Sequence, residues 1–175
     1  MASARCTLAS EYVREESQEH MNGCFFCDRR QAPTPIIGGA IYEDDLLYAC
    51  HVQEGDEPTY LGNLTVETKR HTPDFGTVTD AEAQAIGLLT ARLSRALKVV
   101  CGAERIYAYT FGEAVPHFHI FVTARYPGTP QAYWRLGLTQ WPDAPSGGPT
   151  EVAALCERLR QSLSEMSETP SAGPV

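Results

Sequence analysis

Residues 117–122 read His-Phe-His-Ile-Phe-Val, and this alternation constrains the fold more than any other segment. A β-strand turns successive side chains to opposite faces. Phe118, Ile120 and Val122 therefore form one apolar row, and His117 and His119 share the other side. Such a strand needs a sheet with one face packed on a core and one face free for polar groups. Two imidazoles held roughly 7 Å apart on a stiff strand can divide the work, one binding a metal and one doing chemistry. The next residue on the polar row is Phe121, not a third histidine.

A chain of 175 residues is expected to form one domain with a sizeable core. It contains no apolar run of membrane-spanning length and no basic start followed by an apolar stretch, so a cytoplasmic protein without a membrane partner is expected. The net charge of -8 argues against nucleic acid as a partner, because non-specific binding relies on Lys and Arg at phosphates. A small nucleotide is compatible with it, since one phosphate needs only backbone N–H groups and one or two local cations.

The chain divides into a polar arm (1–22), a main domain (23–125), a C-terminal extension with a terminal helix (126–166) and a polar tail (167–175) expected to be disordered. Gly23-Cys24-Phe25-Phe26-Cys27-Asp28 reads as a compact knuckle. Ile36 to Tyr42 and Leu46 to Val52 read as a hairpin around Glu43-Asp44-Asp45. Leu61 to Glu67 reads as a third strand, with Asn63 a candidate substrate contact. Thr79-Asp80-Ala81-Glu82 has a capping-box pattern. A helix is predicted from there to about Val100, with Ile86, Leu89, Leu93 and Leu97 on one stripe and Gly102 as its stop. Ile106 to Phe111 and His117 to Thr123 read as two further strands joined through Gly112–Pro116. Thr150 to about Ser164 reads as a helix with Val152, Leu155 and Leu159 inward.

Of six cysteines, only Cys24 and Cys27 have a metal-knuckle spacing. A redox pair would need a thioredoxin-like βαβ pattern, which is absent around them. Zinc favours four N/S ligands, and His51, His71 and His117 are the candidates to complete the set, with His20 weaker. Cys50, Cys101 and Cys156 read as buried small hydrophobes. His119 reads either as a hydrogen-bonded core histidine or as a nucleophile or general base.

Taken in order, Cys-Phe-Phe-Cys, Lys69-Arg70-His71 after a strand, a capped helix and Val115-Pro116-His117-Phe118-His119-Ile120-Phe121-Val122 resemble the HIT (histidine triad) superfamily of nucleotide hydrolases and transferases, over about Gly23 to Arg125. The resemblance implies an α+β fold: a five-stranded antiparallel sheet with a long flanking helix and a C-terminal helix, usually in a homodimer. It implies structural zinc on Cys24, Cys27, His71 and His117. It implies that His119 attacks the α-phosphorus of a nucleoside monophosphate derivative through a nucleotidyl-histidine intermediate.

The chain departs from that pattern at three places. Phe121 stands where the resemblance expects the third histidine, Glu113-Ala114 where it expects a polar residue near phosphate, and His51 near the ribose-binding acid. Arg125 is a further candidate phosphate contact, and Trp134 and Trp141 are candidates for the pocket wall or the dimer interface. These departures point to altered substrate or reduced activity. They leave two other readings: a nucleotide-binding module without turnover, and a scaffold repurposed for a specialised metabolic reaction with His119 and Glu113 as an acid–base pair.

Overall fold

The computed structural model describes residues 23–32, 36–53 and 57–168. The expected N-terminal arm, with His20 and Cys6, lies outside the described residues, as does the tail beyond residue 168.

The alternating strands build a five-stranded antiparallel sheet. In chain order its members are β1 (Ala40–Glu43), β2 (Leu47–His51), β4 (Asn63–Thr68), β5 (Arg105–Tyr109) and β6 (His119–Arg125), arranged β1-β2-β4-β6-β5. The hairpin forms at Asp44, whose carboxylate accepts the Leu46 and Leu47 N–H groups. The first strand starts later than the apolar run suggests. Gly38 and Gly39 both adopt positive φ, and this turn keeps the chain out of the sheet until Ala40. A second, two-stranded ribbon pairs β3 (Thr59–Tyr60) with β7 (Ser146–Gly147); β3 falls in a segment that reads as polar loop.

Helix α1 (Phe25–Gln31) follows Cys24, so the knuckle is a two-turn helix. Helix α2 (Asp80–Cys101) begins with the full capping box: the Thr79 side chain accepts from Glu82 N–H, and the Glu82 carboxylate accepts from Thr79 N–H. It ends at Gly102, whose left-handed φ of 65° closes the helix at low cost. Arg70 clamps the same Glu82 carboxylate from the side with two bonds of 2.7 and 3.0 Å. Helix α3 (Pro149–Glu168) extends past the predicted end, so residues 167 and 168 are helical rather than part of a tail.

One core lies between the sheet and helices α2 and α3. Ala49, Leu64, Val66 and Val122 face Ile86, Leu89, Leu93 and Leu97 from α2, and Val152, Leu155, Cys156 and Leu159 from α3. The C-terminal helix thus shares the main core. The other sheet face carries alternate residues: Tyr48 and Cys50, then Asn63, Thr65 and Glu67, then His119, Phe121, Thr123 and Arg125, then Tyr107 and Tyr109. Helix α1 lies against this second face through Phe26 and Arg29. No helix among the described residues is long and apolar enough to cross a membrane.

Candidate active site and metal cluster

Four predicted ligands converge. The ligand atoms of Cys24, Cys27, His71 and His117 all lie within 4.8 Å of one another. His117 Nδ1 is 3.1 Å from Cys24 Sγ and 3.5 Å from Cys27 Sγ, and His71 Nδ1 is 3.7 Å from Cys27 Sγ. A tetrahedral zinc with ordinary Zn–S and Zn–N bonds spaces its ligands by roughly 3.3–3.8 Å; the 3.5 and 3.7 Å separations fall in that range and the 3.1 Å one lies just below it. The tautomer of His117 fits as well. Its Nε2–H donates to the Thr68 carbonyl at 2.7 Å, leaving the Nδ1 lone pair aimed at the sulfurs. Two of the ligands flank the start of α1, one follows β4 and one precedes β6. A metal held there would tie α1 to the sheet, and with four protein ligands closing its shell it would supply structural rather than Lewis-acid chemistry.

His117 is not itself in the strand, which begins at His119. Its backbone carbonyl accepts from His119 Nδ1 at 2.7 Å. A nitrogen that donates must carry the proton, so neutral His119 holds its lone pair on Nε2. Burial holds the His119 ring below its ordinary pKa; the bond to the carbonyl opposes this, and the charge of Arg29 adds to it. The ring is only 7% exposed and is packed by aromatics. Phe26 lies 4.5 Å from it, and Phe121 meets it edge to face at 5.1 Å. Phe121 then stacks on Tyr109 at 5.3 Å.

Beneath α1 lies an ion pair between a half-buried arginine and a buried carboxylate. Glu67 is the cross-strand partner of His119 and is fully buried. Arg29 Nη2 donates to Glu67 Oε2 at 2.8 Å and to Thr65 Oγ1 at 3.3 Å, while the guanidinium sits 4.8 Å from the Phe26 ring centroid. Burial pushes the Glu67 carboxyl up to about 7, against the pull of Arg29 and Arg30. Sequence reasoning singled out none of Phe26, Arg29, Thr65 and Glu67. The signal was the polar period-two row Asn63-x-Thr65-x-Glu67 on a predicted strand, which marks a sheet face needing partners.

The remaining predicted contacts separate. Asn63 is on the site face, two rungs from Glu67, where its Oδ1 accepts from Thr123 Oγ1 at 2.7 Å. His51 is on the opposite, core face. It is fully buried, and its Nε2 accepts from Gly62 N–H at 3.0 Å. It is therefore neither a surface histidine nor a ribose contact, and burial pulls its pKa down to about 4. Arg125 shares the site face but ends the strand, roughly 20 Å along from His119 at the strand rise. It pairs with Glu104 at 3.1 Å and lies over the Trp134 ring at 4.5 Å. Trp134 packs on Arg125, and its indole N–H donates to the Thr129 carbonyl. Glu113 is exposed in the loop between β5 and β6.

No family model and no curated protein matches the chain by sequence. Solved structures match closely in shape. A hypothetical histidine triad nucleotide-binding protein from Sulfolobus tokodaii superposes with a TM-score of 0.64 at 17% identity, covering 82% of this chain and 94% of its own. A zinc-bound histidine triad family protein from Mycobacterium smegmatis gives 0.59 at 20% identity, with coverages of 83% and 96%. A HIT-like protein involved in cell-cycle regulation from Bartonella henselae gives 0.59 at 18%, with 81% and 96%. The chain has the HIT fold.

Proposed function

We propose that this chain is a zinc-stapled nucleotide hydrolase or nucleotidyltransferase of the HIT type, with His119 as nucleophile and a pocket altered at Phe121. The observation that carries it is the 2.7 Å bond from His119 Nδ1–H to the His117 carbonyl, which leaves a lone pair on Nε2. A neutral imidazole with a fixed tautomer is what attack on phosphorus requires. The bond from Nε2 to the α-phosphorus forms as the bond to the leaving group breaks. The leaving amine or alkoxide keeps that electron pair and takes a proton from water. Water then cleaves the N–P bond, releasing the nucleoside monophosphate and neutral His119. Zinc on Cys24, Cys27, His71 and His117 holds the segment that presents the ring. Structural neighbours described as nucleotide-binding and as zinc-bound support the substrate class and the metal. A homodimer in the cytoplasm belongs to the same reading.

Adenosine 5′-phosphoramidate is the test substrate. Wild type is expected to release AMP, and His119→Ala to lose that activity by at least about a thousandfold, as for removal of a covalent nucleophile. Equal turnover by both removes His119 from the mechanism. The stack of Phe121 on Tyr109 favours a second reading, a nucleotide-binding module without turnover, since an apolar ring there can donate nothing to a phosphate. Saturable AMP binding without product, together with turnover gained by Phe121→His, selects that reading.

A further inference from the structure

We propose that Arg29 is the cation that receives the substrate's phosphate beside His119, in place of any group at position 121. The inference rests on the nucleotide reading above and names the group that would recognise the anion.

A phosphate placed for attack by His119 brings negative charge to a half-closed aromatic surface. Phe26 and Phe121 flank the ring, and neither can compensate that charge. Glu67, on the neighbouring strand, adds a carboxyl of the same sign. Arg29 is the cation bonded to this rung of the sheet. Its hydrogen bonds go to Thr65 and Glu67, the cross-strand partners of Phe121 and His119. The nearby Arg30 reaches the same carboxylate only through Nε, 3.8 Å from Glu67 Oε1, and spends Nη1 and Nη2 on the Thr68 and Lys69 carbonyls.

Arg29 is also incompletely used. A guanidinium has five donors. Its bonds to Thr65 and Glu67 both come from Nη2, Cys50 is a further neighbour, and Nε is buried with no partner. The side chain keeps 18% of its surface exposed and lines a cavity with Arg30, Tyr48 and Lys69. Glu67 holds it by one oxygen and not as a bidentate fork, and the Phe26 ring supports it from 4.8 Å. A buried carboxylate that orients an arginine without saturating it makes a presented cation with a fixed direction. Because Arg29 lies two residues past Cys27, a metal at the cluster also fixes its position.

The test is calorimetric binding of AMP and of adenosine to the zinc-loaded full chain, as wild type, Arg29→Gln and Arg29→Lys. Wild type is expected to bind AMP more tightly than adenosine. Arg29→Gln should weaken AMP by about ten- to a hundredfold, the worth of a hydrogen bond to a charged group, and leave adenosine within about twofold. Arg29→Lys, which keeps the charge but not the fork, should fall between them and show a steeper loss of AMP affinity with salt. A purely structural role would weaken both ligands together, and that result overturns the assignment. AMP bound equally by wild type and Arg29→Gln overturns it too, while leaving His119 as nucleophile intact. Wild type that does not bind AMP overturns both the assignment and the nucleotide reading. If Arg29→Gln loses its metal or its thermal midpoint, the AMP-to-adenosine ratio of Arg29→Lys decides, and an unchanged ratio refutes the proposal.

Discussion

Replacing Cys27 with Ser should free helix α1 from the sheet while leaving the main core folded. The helix spans Phe25–Gln31, and its N-cap, Cys24, makes no side-chain capping bond. Isolated helices shorter than about 12–15 residues are marginal, so α1 depends on what it touches. Burying Phe26 contributes about 2–3 kcal/mol. The Arg29 bond to Glu67 adds about 1.5–3 kcal/mol, and the two Arg30 bonds to carbonyls about 1 kcal/mol each. Ordering about ten residues (23–32) costs on the order of 10–20 kcal/mol. The shortfall is on the order of 2–14 kcal/mol, which the apparent worth of structural zinc, about 10–16 kcal/mol, can offset. Wild type should therefore carry about one zinc per chain, and the variant far less. Amide exchange in 25–31 should lose its protection while α2 keeps its own. Losing the Phe26 contact should lower the thermal midpoint by about 5–10 °C. A metal-free variant with an unchanged midpoint and a protected α1 would refute the staple.

Two acid-stability predictions follow from buried groups away from the cluster. His51 has its pKa pulled down to about 4 by burial, and protonation would set a second proton against Gly62 N–H. Its neutral form stabilises the fold fully above the ordinary histidine value. That contribution, on the order of 2–3 kcal/mol, is lost as pH falls from about 6.5 to about 4. Urea unfolding of His51→Gln should show a flatter profile across that window, and an identical profile would exclude His51 as the sensor. Glu82 is held down to about 2, first by Arg70 and then by the Thr79 cap. Its contribution is present above about 4.5 and disappears as pH falls to about 2. With Arg70 half exposed, Glu82→Gln should cost about 1–2 kcal/mol at pH 7, and the two proteins should converge in stability near pH 2.

The parts of the fold carried by local rules were legible in the residues. Thr79 and Glu82 mark the start of α2, Gly102 its end, and the leucine stripe its buried side. The convergence of Cys24, Cys27, His71 and His117 was also legible, through the knuckle spacing and the resemblance of the His71 and His117 segments to a known pattern. Other features depend on which way a segment turns. Leu47–His51 is buried at every position, so its sequence carries no alternation to say that His51 faces the core. The Arg29–Glu67 pair joins residues 38 apart, and no local pattern announces it. Arg125 looked available because its partners, Glu104 and Trp134, come from a loop and an irregular extension whose course the residues do not dictate.

The bond between His119 Nδ1 and the His117 carbonyl limits how this segment can change in length. Residue 117 turns its ring to the cysteines, its Nε2–H to Thr68 and its carbonyl to the ring two residues on. One residue inserted between 117 and 119 would part the His117 carbonyl from the His119 ring and break the tautomer-fixing bond, or draw His117 away from the cysteines. The exposed loop at 112–116 has no such double duty. Insertions belong there, and a graft or permutation of this protein should leave 117–121 intact and cut instead before Val115.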